Sequence, residues 1–566
     1  MGLILRVNVG TGVIAAAPPG DEYMVLGGRS LTSRIVADEV PPTCHPLSAH
    51  NKLVIAAGLF AGTMAPSGGR ISIGAKSPLT GGIKEANGGG ETARKLARLG
   101  YRAIIIEGKP QSQELFILKI DRSGAALIPG EKYREMGNYQ LAASLLDEYG
   151  NKVAIISNGP LGERLASSAG ITNTDREGVP SRFCGRGGLG AVMGSKGVKA
   201  IVIDDSGASE INFHDQQEFK SICQMLYQKM TGHPSMEAFA KFGTAGVLNY
   251  VNEVGGLPTR NFRTGRFEQA MQINGDKLRE TILARGGEGD PSHACMTGCI
   301  IKCSNIYPDQ NGKALVSPLE FETLGLLGSN LGIGDLDTIA RMNYVCNDLG
   351  VDTIEIGVAI GVAMEAGIIP FGDGPAAEKM LEEVRQGTAL GRVIAEGALI
   401  TGRVFGVERV PVVKGQGMPA YDPRAVKGNG VTYATSPMGA DHTAANTIRG
   451  KDHHIPEGRA AISSRSQAMI AAYDSLGFCV FTGAVINENL SAVARMATAL
   501  TGQPQPDDYM YQLGVSVLKN ELEFNRQAGF TKVHDRIPGY MLEEKLPPND
   551  LVFDVTLEDL DNVHNR

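Results

Sequence analysis

Three cysteines stand four positions apart, at Cys295, Cys299 and Cys303, within His293-Ala-Cys-Met-Thr-Gly-Cys-Ile-Ile-Lys-Cys-Ser304. That spacing lets three sulfurs converge on one face of a helical turn or inside a tight loop. Thiolates held so close repel one another unless a soft cation joins them, and iron–sulfur clusters and zinc are the groups that do so. Either needs a fourth ligand. Cys479, presented by the glycine turn of Asp474-Ser-Leu-Gly-Phe-Cys479, is the best placed of the remaining cysteines. Structural zinc usually draws on two separate cysteine pairs, whereas three clustered thiols plus a distant one follow the habit of a cubane, so the pattern favours iron–sulfur.

Other residues carry chemistry with weaker signals. Gly185-Arg-Gly-Gly-Leu-Gly190 matches G-x-G-x-x-G, but the loop-like Glu177–Cys184 precedes it instead of an apolar strand. It reads as a glycine–arginine loop that wraps phosphate with backbone N–H groups and Arg182 or Arg186, not as a dinucleotide fingerprint. Glu322 lies in the apolar Leu319-Glu-Phe-Glu-Thr-Leu-Gly325, where burial would raise a carboxyl toward the range of a general base. A helix-start acid facing the dipole is the plainer reading, and Glu320 would serve that purpose equally. His442, in Gly439-Ala-Asp-His442, has a structural alternative too, while His45, His453 and His454 read as structural. Asn347-Asp-Leu-Gly-Val-Asp352 and Asp474-Ser-Leu-Gly-Phe-Cys479 repeat one polar-x-x-Gly-apolar-polar pattern after a helix, as two left-handed glycine caps would.

The elements that position these residues fall into two regimes. Short apolar runs at Lys52–Ala57, Arg102–Glu107, Glu114–Ile120, Lys152–Ser157 and Lys199–Ile203, separated by Gly/Pro/Asn clusters, predict a strand-rich region up to Gly207. Helical periodicity follows at Gln216–Met230, Glu320–Leu331, Asp335–Leu349, Asp352–Ala366, Ala376–Gln386, Ala460–Leu476 and Leu490–Leu500. Pro411 and a polar loop around Lys414–Lys427 suggest a further boundary. The expected fold is α+β and multidomain: a β-rich base over 1–207, a helical domain over 208–410 carrying the three cysteines and Glu322, and a helical domain over 411–566 carrying His442 and Cys479. At 566 residues the chain exceeds one hydrophobic core. A net charge of −7 argues against a nucleic-acid partner. The start reads as a strand, Arg6 stands where a myristoylation signal wants Ser or Thr, and no 18-residue apolar run occurs. The expectation is a cytoplasmic protein without membrane insertion, its clustered thiols binding metal instead of forming disulfides.

Taken together, these segments resemble the tungsten-containing aldehyde:ferredoxin oxidoreductase family over nearly the whole length. The resemblance rests on Gly62-Thr-x-x-Pro-Ser67 with Arg70, Ser77-Pro-x-Thr-Gly81, Asn87-Gly-Gly89, Gly185 to Lys196, the cysteine triplet, Gly439 to His442, and Asp474 to Cys479. It implies a β base under a tungsten (or molybdenum) bis-molybdopterin, with Mg2+ bridging the pterin phosphates, and a [4Fe–4S] cluster on Cys295, Cys299, Cys303 and Cys479. Arg70, Asn87, Gly89, Arg182, Phe183, Gly185 and Arg186 match the pterin, phosphate and magnesium positions, and Asn347, Asp352, Asp474 and Gly477 belong to the paired pterin loops. The implied reaction oxidises an aldehyde to a carboxylic acid in an anaerobic setting, with Glu322 as base, His442 as hydrogen-bond donor and ferredoxin or a ferredoxin-like subunit taking electrons. Alternatives are a low-potential reductase of an activated carboxylic or aromatic acid on this scaffold and a non-catalytic iron–sulfur electron carrier. Three departures stand out. The cysteines follow C-x3-C-x3-C where C-x2-C-x3-C is commoner, Asn347 replaces an acid, and Arg341-Met-Asn-Tyr344 replaces a metal-bridging Glu-x-x-His, which leaves other oligomers open.

Overall fold

The computed structural model describes residues 2–565. Its first part is two six-stranded sheets that repeat one topology. The first runs β2 (Ile14–Ala17), β1 (Leu3–Asn8), β6 (Tyr101–Glu107), β3 (Leu53–Ala57), β4 (Ile71–Lys76), β5 (Ile83–Gly88). The second, taken in the same sense, runs β8 (Gly124–Pro129), β7 (Phe116–Asp121), β12 (Val198–Ile203), β9 (Ala154–Asn158), β10 (Ile171–Asn173), β11 (Arg182–Cys184). Every strand of one has a counterpart six places later in the other. β1 and β6 pair in parallel, as do β7 and β12, and the other pairings are antiparallel in both sheets. Helices recur in step: α1 (Gly28–Glu39) and α2 (Thr92–Arg98) in the first half, α3 (Asn138–Tyr149) and α4 (Leu189–Ser195) in the second.

The apolar runs become central strands because both faces are covered, which removes the need for alternation. β3 and β12 are buried at every position. The two sheets meet where β5 and β11 come together. A Cβ added at Gly88 would lie 2.8 Å from Cys184 Sγ and 3.4 Å from the Phe183 carbonyl oxygen, so only glycine permits the approach.

The rest is mainly helical. The elements that carry the site are α5 (Leu336–Leu349), α6 (Thr353–Glu365), α7 (Arg459–Leu476) and α8 (Tyr509–Gln527). Asp335 and Asp352 cap α5 and α6, accepting from Thr338 N at 2.8 Å and Ile354 N at 3.0 Å. Among the described residues no single helix is long and apolar enough to cross a membrane.

Two expectations need correcting. Glu320–Leu331 is not one helix: a short turn at Phe321–Thr323 passes into a π-helical stretch, Leu324–Gly328, and a 3-10 turn, Ser329–Leu331. Gly325 sits where a Cβ would be 2.5 Å from Ala420 Cβ, so the close packing of a neighbouring segment overrides local helical periodicity. Glu177–Cys184 is not all loop, since it ends in strand β11, whose pairing with β10 the short run does not announce. The polar segment around Lys414–Lys427 is mostly loop and turn, and it is buried. From Gln416 through Asp441 every residue is buried, with Arg424 and Asp422 paired at 2.7 Å in the interior. Polar groups lie inside here because they satisfy one another.

Candidate active site and cluster-binding loops

Both glycine loops dock on the base in the same way. Gly350 and Gly477 end α5 and α7 in the left-handed region, at φ +74 and +84. Arg70 N donates to Gly477 O at 3.1 Å, and Gly170 N donates to Gly350 O at 2.9 Å, just before β4 and β10 respectively. Glycines that follow β3 and β9 admit the loops: a Cβ at Gly58 would fall 2.2 Å from Gly477 Cα, and one at Gly159 would fall 2.2 Å from Leu349 O. The repeat seen in sequence is therefore a repeat in contact. Asp474 is buried and lifted to about 6 by that burial, although Arg29 and Arg70 oppose the rise. Its counterpart Asn347 is neutral, donating to Tyr139 Oη at 3.2 Å and Ser317 O at 3.3 Å. Asp352 accepts from Arg186 Nε at 3.0 Å.

The four expected cysteines come together. The triplet forms a loop, not a helical face, with Gly298 at φ +79 absorbing the additional residue between Cys295 and Cys299. Ser67 ties this loop to the other: its N–H donates to Gly298 O at 3.0 Å, its carbonyl accepts from Cys479 N at 2.9 Å, and its Oγ accepts from Ile300 N at 3.1 Å. Glu91 holds the far side, accepting from Thr297 N at 2.6 Å and Thr297 Oγ1 at 3.0 Å. A thiol hydrogen bond between Cys295 and Cys299 raises the first well above the ordinary thiol range and lowers the second to about 6. Burial pushes Cys303 and Cys479 up, each sensing the charge of other members of the set.

Three of the four thiols are thus held from becoming thiolates unless a positive centre joins them, and Cys299 alone is favoured as a thiolate. Trios of ligand-type side chains with donor atoms all within 4.8 Å comprise, among the described residues, only Asp175, Glu177 and His293. No three of the four sulfurs lie within 4.8 Å of one another, a looser set than the roughly 3.8 Å edge that 2.3 Å bonds give a zinc tetrahedron. The donor set fits an iron–sulfur cluster.

Of the two arginines nearest the thiols, Arg70 donates from Nε to Asn87 Oδ1 and from Nη2 to Asn87 O at 3.4 Å, and it neighbours Cys479 and Cys295. Arg182 donates to Ser304 Oγ at 2.6 Å and Ser317 Oγ at 3.2 Å, and its buried Nε finds no partner in the chain. Phe183 is in mid-β11 opposite Thr172. A Cβ at Gly185 would meet nothing closer than 3.7 Å, and one at Gly89 would meet Cys295 Sγ at 3.1 Å. Arg186 is committed within the protein, donating to Ala440 O and Gly417 O, both at 2.6 Å, besides Asp352. It joins base and helical parts.

Glu322 and His442, distant in sequence, face each other. Glu322 Oε2 accepts from Ala420 N at 2.8 Å, while Oε1 lies 3.5 Å from His442 Nδ1. Both of these facing atoms are buried and without a hydrogen bond. Burial raises the Glu322 carboxyl above its ordinary value, with His442 and the Ala420 N–H pulling it back. Asp441 does not steer the imidazole. It pairs with Lys84, each fully buried, and faces Arg186 at 3.8 Å; although burial opposes it, these cations hold Asp441 far below the usual carboxylate range. Sequence reading missed Lys84 and Glu91, and held Ser67 only as a motif residue with no role. A lysine in the buried strand Ile-Lys-Glu-Ala-Asn-Gly was the available signal for the first.

One family matches along almost the whole chain. Residues 4–205 match the N-terminal domain of aldehyde ferredoxin oxidoreductase, and residues 221–561 match its domains 2 and 3. The chain is 33% identical to the tungsten-containing aldehyde ferredoxin oxidoreductase of Pyrococcus furiosus, covering 96% of this chain and 92% of that protein. It is 32% identical to the protein of the same description from Thermococcus kodakarensis, with the same coverage. The WOR-like subunit of an aliphatic sulfonate oxidoreductase from Pyrococcus furiosus is 25% identical over 87% of this chain and 80% of that one. Among solved structures, the active-site complex BamBC of benzoyl coenzyme A reductase with 1,5-dienoyl-CoA superposes with a TM-score of 0.79 at 19% identity, over 96% of this chain and 92% of that one, a likeness of fold.

Proposed function

We propose, because this chain belongs to the aldehyde ferredoxin oxidoreductase family, that it oxidises aldehydes to carboxylic acids and passes the electrons to ferredoxin or a ferredoxin-like subunit. The family implies a tungsten pterin, and the residues present suit it. Two equivalent glycine loops seat on two equivalent sheets, and orphaned polar atoms of Glu85, Thr172, Asn173 and Arg182 lie on β5, β10 and β11. Asn87, Gly89, Phe183 and Gly185 would meet the pterins and the magnesium between their phosphates, with molybdenum as the substitute metal. Cys295, Cys299, Cys303 and Cys479 would hold the [4Fe–4S] cluster. When bound, the metal–pterin centre supplies a two-electron acceptor and the cluster releases the electrons singly.

The observation that carries the reading is the facing pair, Glu322 Oε1 and His442 Nδ1, each buried and unbonded 3.5 Å apart. A carboxyl raised by burial takes a proton from water more readily than an exposed one. Glu322 therefore acts as base toward the attacking water. His442 donates a hydrogen bond to the aldehyde oxygen as charge gathers there. Replacing Glu322 by Gln keeps the shape and the Ala420 bond but removes the base. Holoenzyme of E322Q, made anaerobically with tungstate, is expected to reduce a viologen dye with aldehydes at least 100-fold more slowly at unchanged tungsten and iron content. Wild-type turnover by E322Q, or a loaded wild-type enzyme inert toward an aldehyde panel, would overturn the assignment.

A further inference from the structure

Outside the site just described, Asp175, Glu177 and His293 bring three donor atoms within 4.8 Å of one another. His293 is 8% exposed, and its Nε2 is buried without a hydrogen-bond partner. That nitrogen points at two carboxylate oxygens, Glu177 Oε2 at 3.3 Å and Asp175 Oδ2 at 3.7 Å. Two bonds of about 2.1 Å in a tetrahedral site place their donor atoms about 3.4 Å apart, between these values. On the other side of the ring, Nδ1 faces Asp290 Oδ2 at 3.6 Å. A carboxylate behind a histidine fixes the tautomer that leaves Nε2 free to ligate.

The surroundings complete the setting. Asp175 is oriented by its own loop, with Oδ1 accepting from Glu177 N at 3.1 Å and Val179 N at 3.0 Å, and Oδ2 accepting from Ser181 Oγ at 2.8 Å. Arg182 stands 3.7 Å from the same Oδ2 and offsets part of the charge. Three carboxylates against one guanidinium leave an excess of negative charge around the imidazole. Glu177 is about half exposed, at 48%, so water can supply a further ligand and an ion can enter.

We propose that these residues form a binding site for one divalent transition-metal cation, with Asp175, Glu177 and His293 as ligands and Asp290 orienting the histidine. One imidazole and two carboxylates suit a borderline cation such as Zn2+ over Mg2+ or Ca2+, which take oxygen alone. The ligands come from two parts of the chain. Asp175 and Glu177 belong to the turn between β10 and β11, while His293 ends the strand leading into the cysteine loop. A bound ion staples that loop to the base.

The test uses anaerobically prepared holoenzyme and Zn2+ as the probe, with zinc and iron counted after dialysis. The expected result is one zinc gained per chain at unchanged iron, with an anomalous zinc peak at bonding distance from His293 Nε2. E177Q, altered at a half-exposed position, should keep its fold and iron but bind zinc at least tenfold more weakly. No zinc uptake would mean a protonated histidine paired with acids, and the proposal fails. It fails equally if zinc enters as iron leaves, if the peak lies elsewhere, or if E177Q binds as the parent does.

Discussion

Replacing Gly58 by Ala tests how the Cys479 loop is held. Gly58 carries no positive φ, so backbone strain is not in question. The added methyl would lie 2.2 Å from Gly477 Cα and 2.6 Å from Gly477 N. Both are backbone atoms with no rotamer to yield, so the loop must back away by more than 1 Å to reach ordinary contact. Four main-chain hydrogen bonds cross this junction: Leu59 N to Ser475 O, Phe60 N to Leu476 O, Arg70 N to Gly477 O and Cys479 N to Ser67 O, all between 2.9 and 3.1 Å. A retreat of that size breaks them. At about 1 kcal/mol net each, docking of the loop weakens by about 4 kcal/mol, on the order of a thousandfold. The assay is iron per chain in anaerobically purified protein, beside the melting temperature. Gly539→Ala is the control, since nothing lies within 4 Å of its added methyl. G58A is expected to lose most of its iron and G539A none. Iron content and melting of G58A equal to those of G539A would refute the contact argument.

Three other outcomes follow from the same structure. Because burial raises the Glu322 carboxyl and its ionised form is the base, kcat/KM should climb with pH through a midpoint above the ordinary 4.5 and be lost as pH falls below it; a pH profile with the limb at or under 4.5 contradicts this. Lys84→Met removes the closest cation from the fully buried Asp441, so denaturant unfolding should show a loss of about 3 kcal/mol, and a change under 1 kcal/mol would count against the pairing. Ser67→Ala removes the side-chain acceptor of Ile300 N while keeping every main-chain bond, so the cluster should be lost to a chelator several-fold faster at a cost of about 1 kcal/mol; an unchanged rate would remove Ser67 Oγ from cluster support.

Local signals told most about the helices and the thiols. Gly350, Gly477 and the aspartate caps at 335 and 352 announce themselves because a left-handed cap or a side-chain acceptor has few substitutes. Gln216–Met230 has the bounds its periodicity suggests. The doubling of the base was hidden: equivalent strands share a place in the sheet but little composition, with Arg70 answering to Gly170 and Asp474 to Asn347. Pairings such as Lys84 with Asp441 span 357 positions, and no local pattern records them. The burial of Gln416–Asp441 was hidden for a related reason, since several of its polar side chains are satisfied by partners far along the chain. The break after Glu322 depends on Ala420, which periodicity within the segment does not contain.

The two like halves of the base differ in one respect that makes the site lopsided. Where the first half bears Arg70, reaching toward Cys479 and Cys295, the second bears Gly170, which has no side chain to reach with. The loop that ends in Cys479 therefore docks beside a cation, whereas the loop around Gly350 docks where the base offers only main chain. A scaffold doubled in outline has thereby acquired a front and a back. Of two equivalent loops, only one carries a thiol.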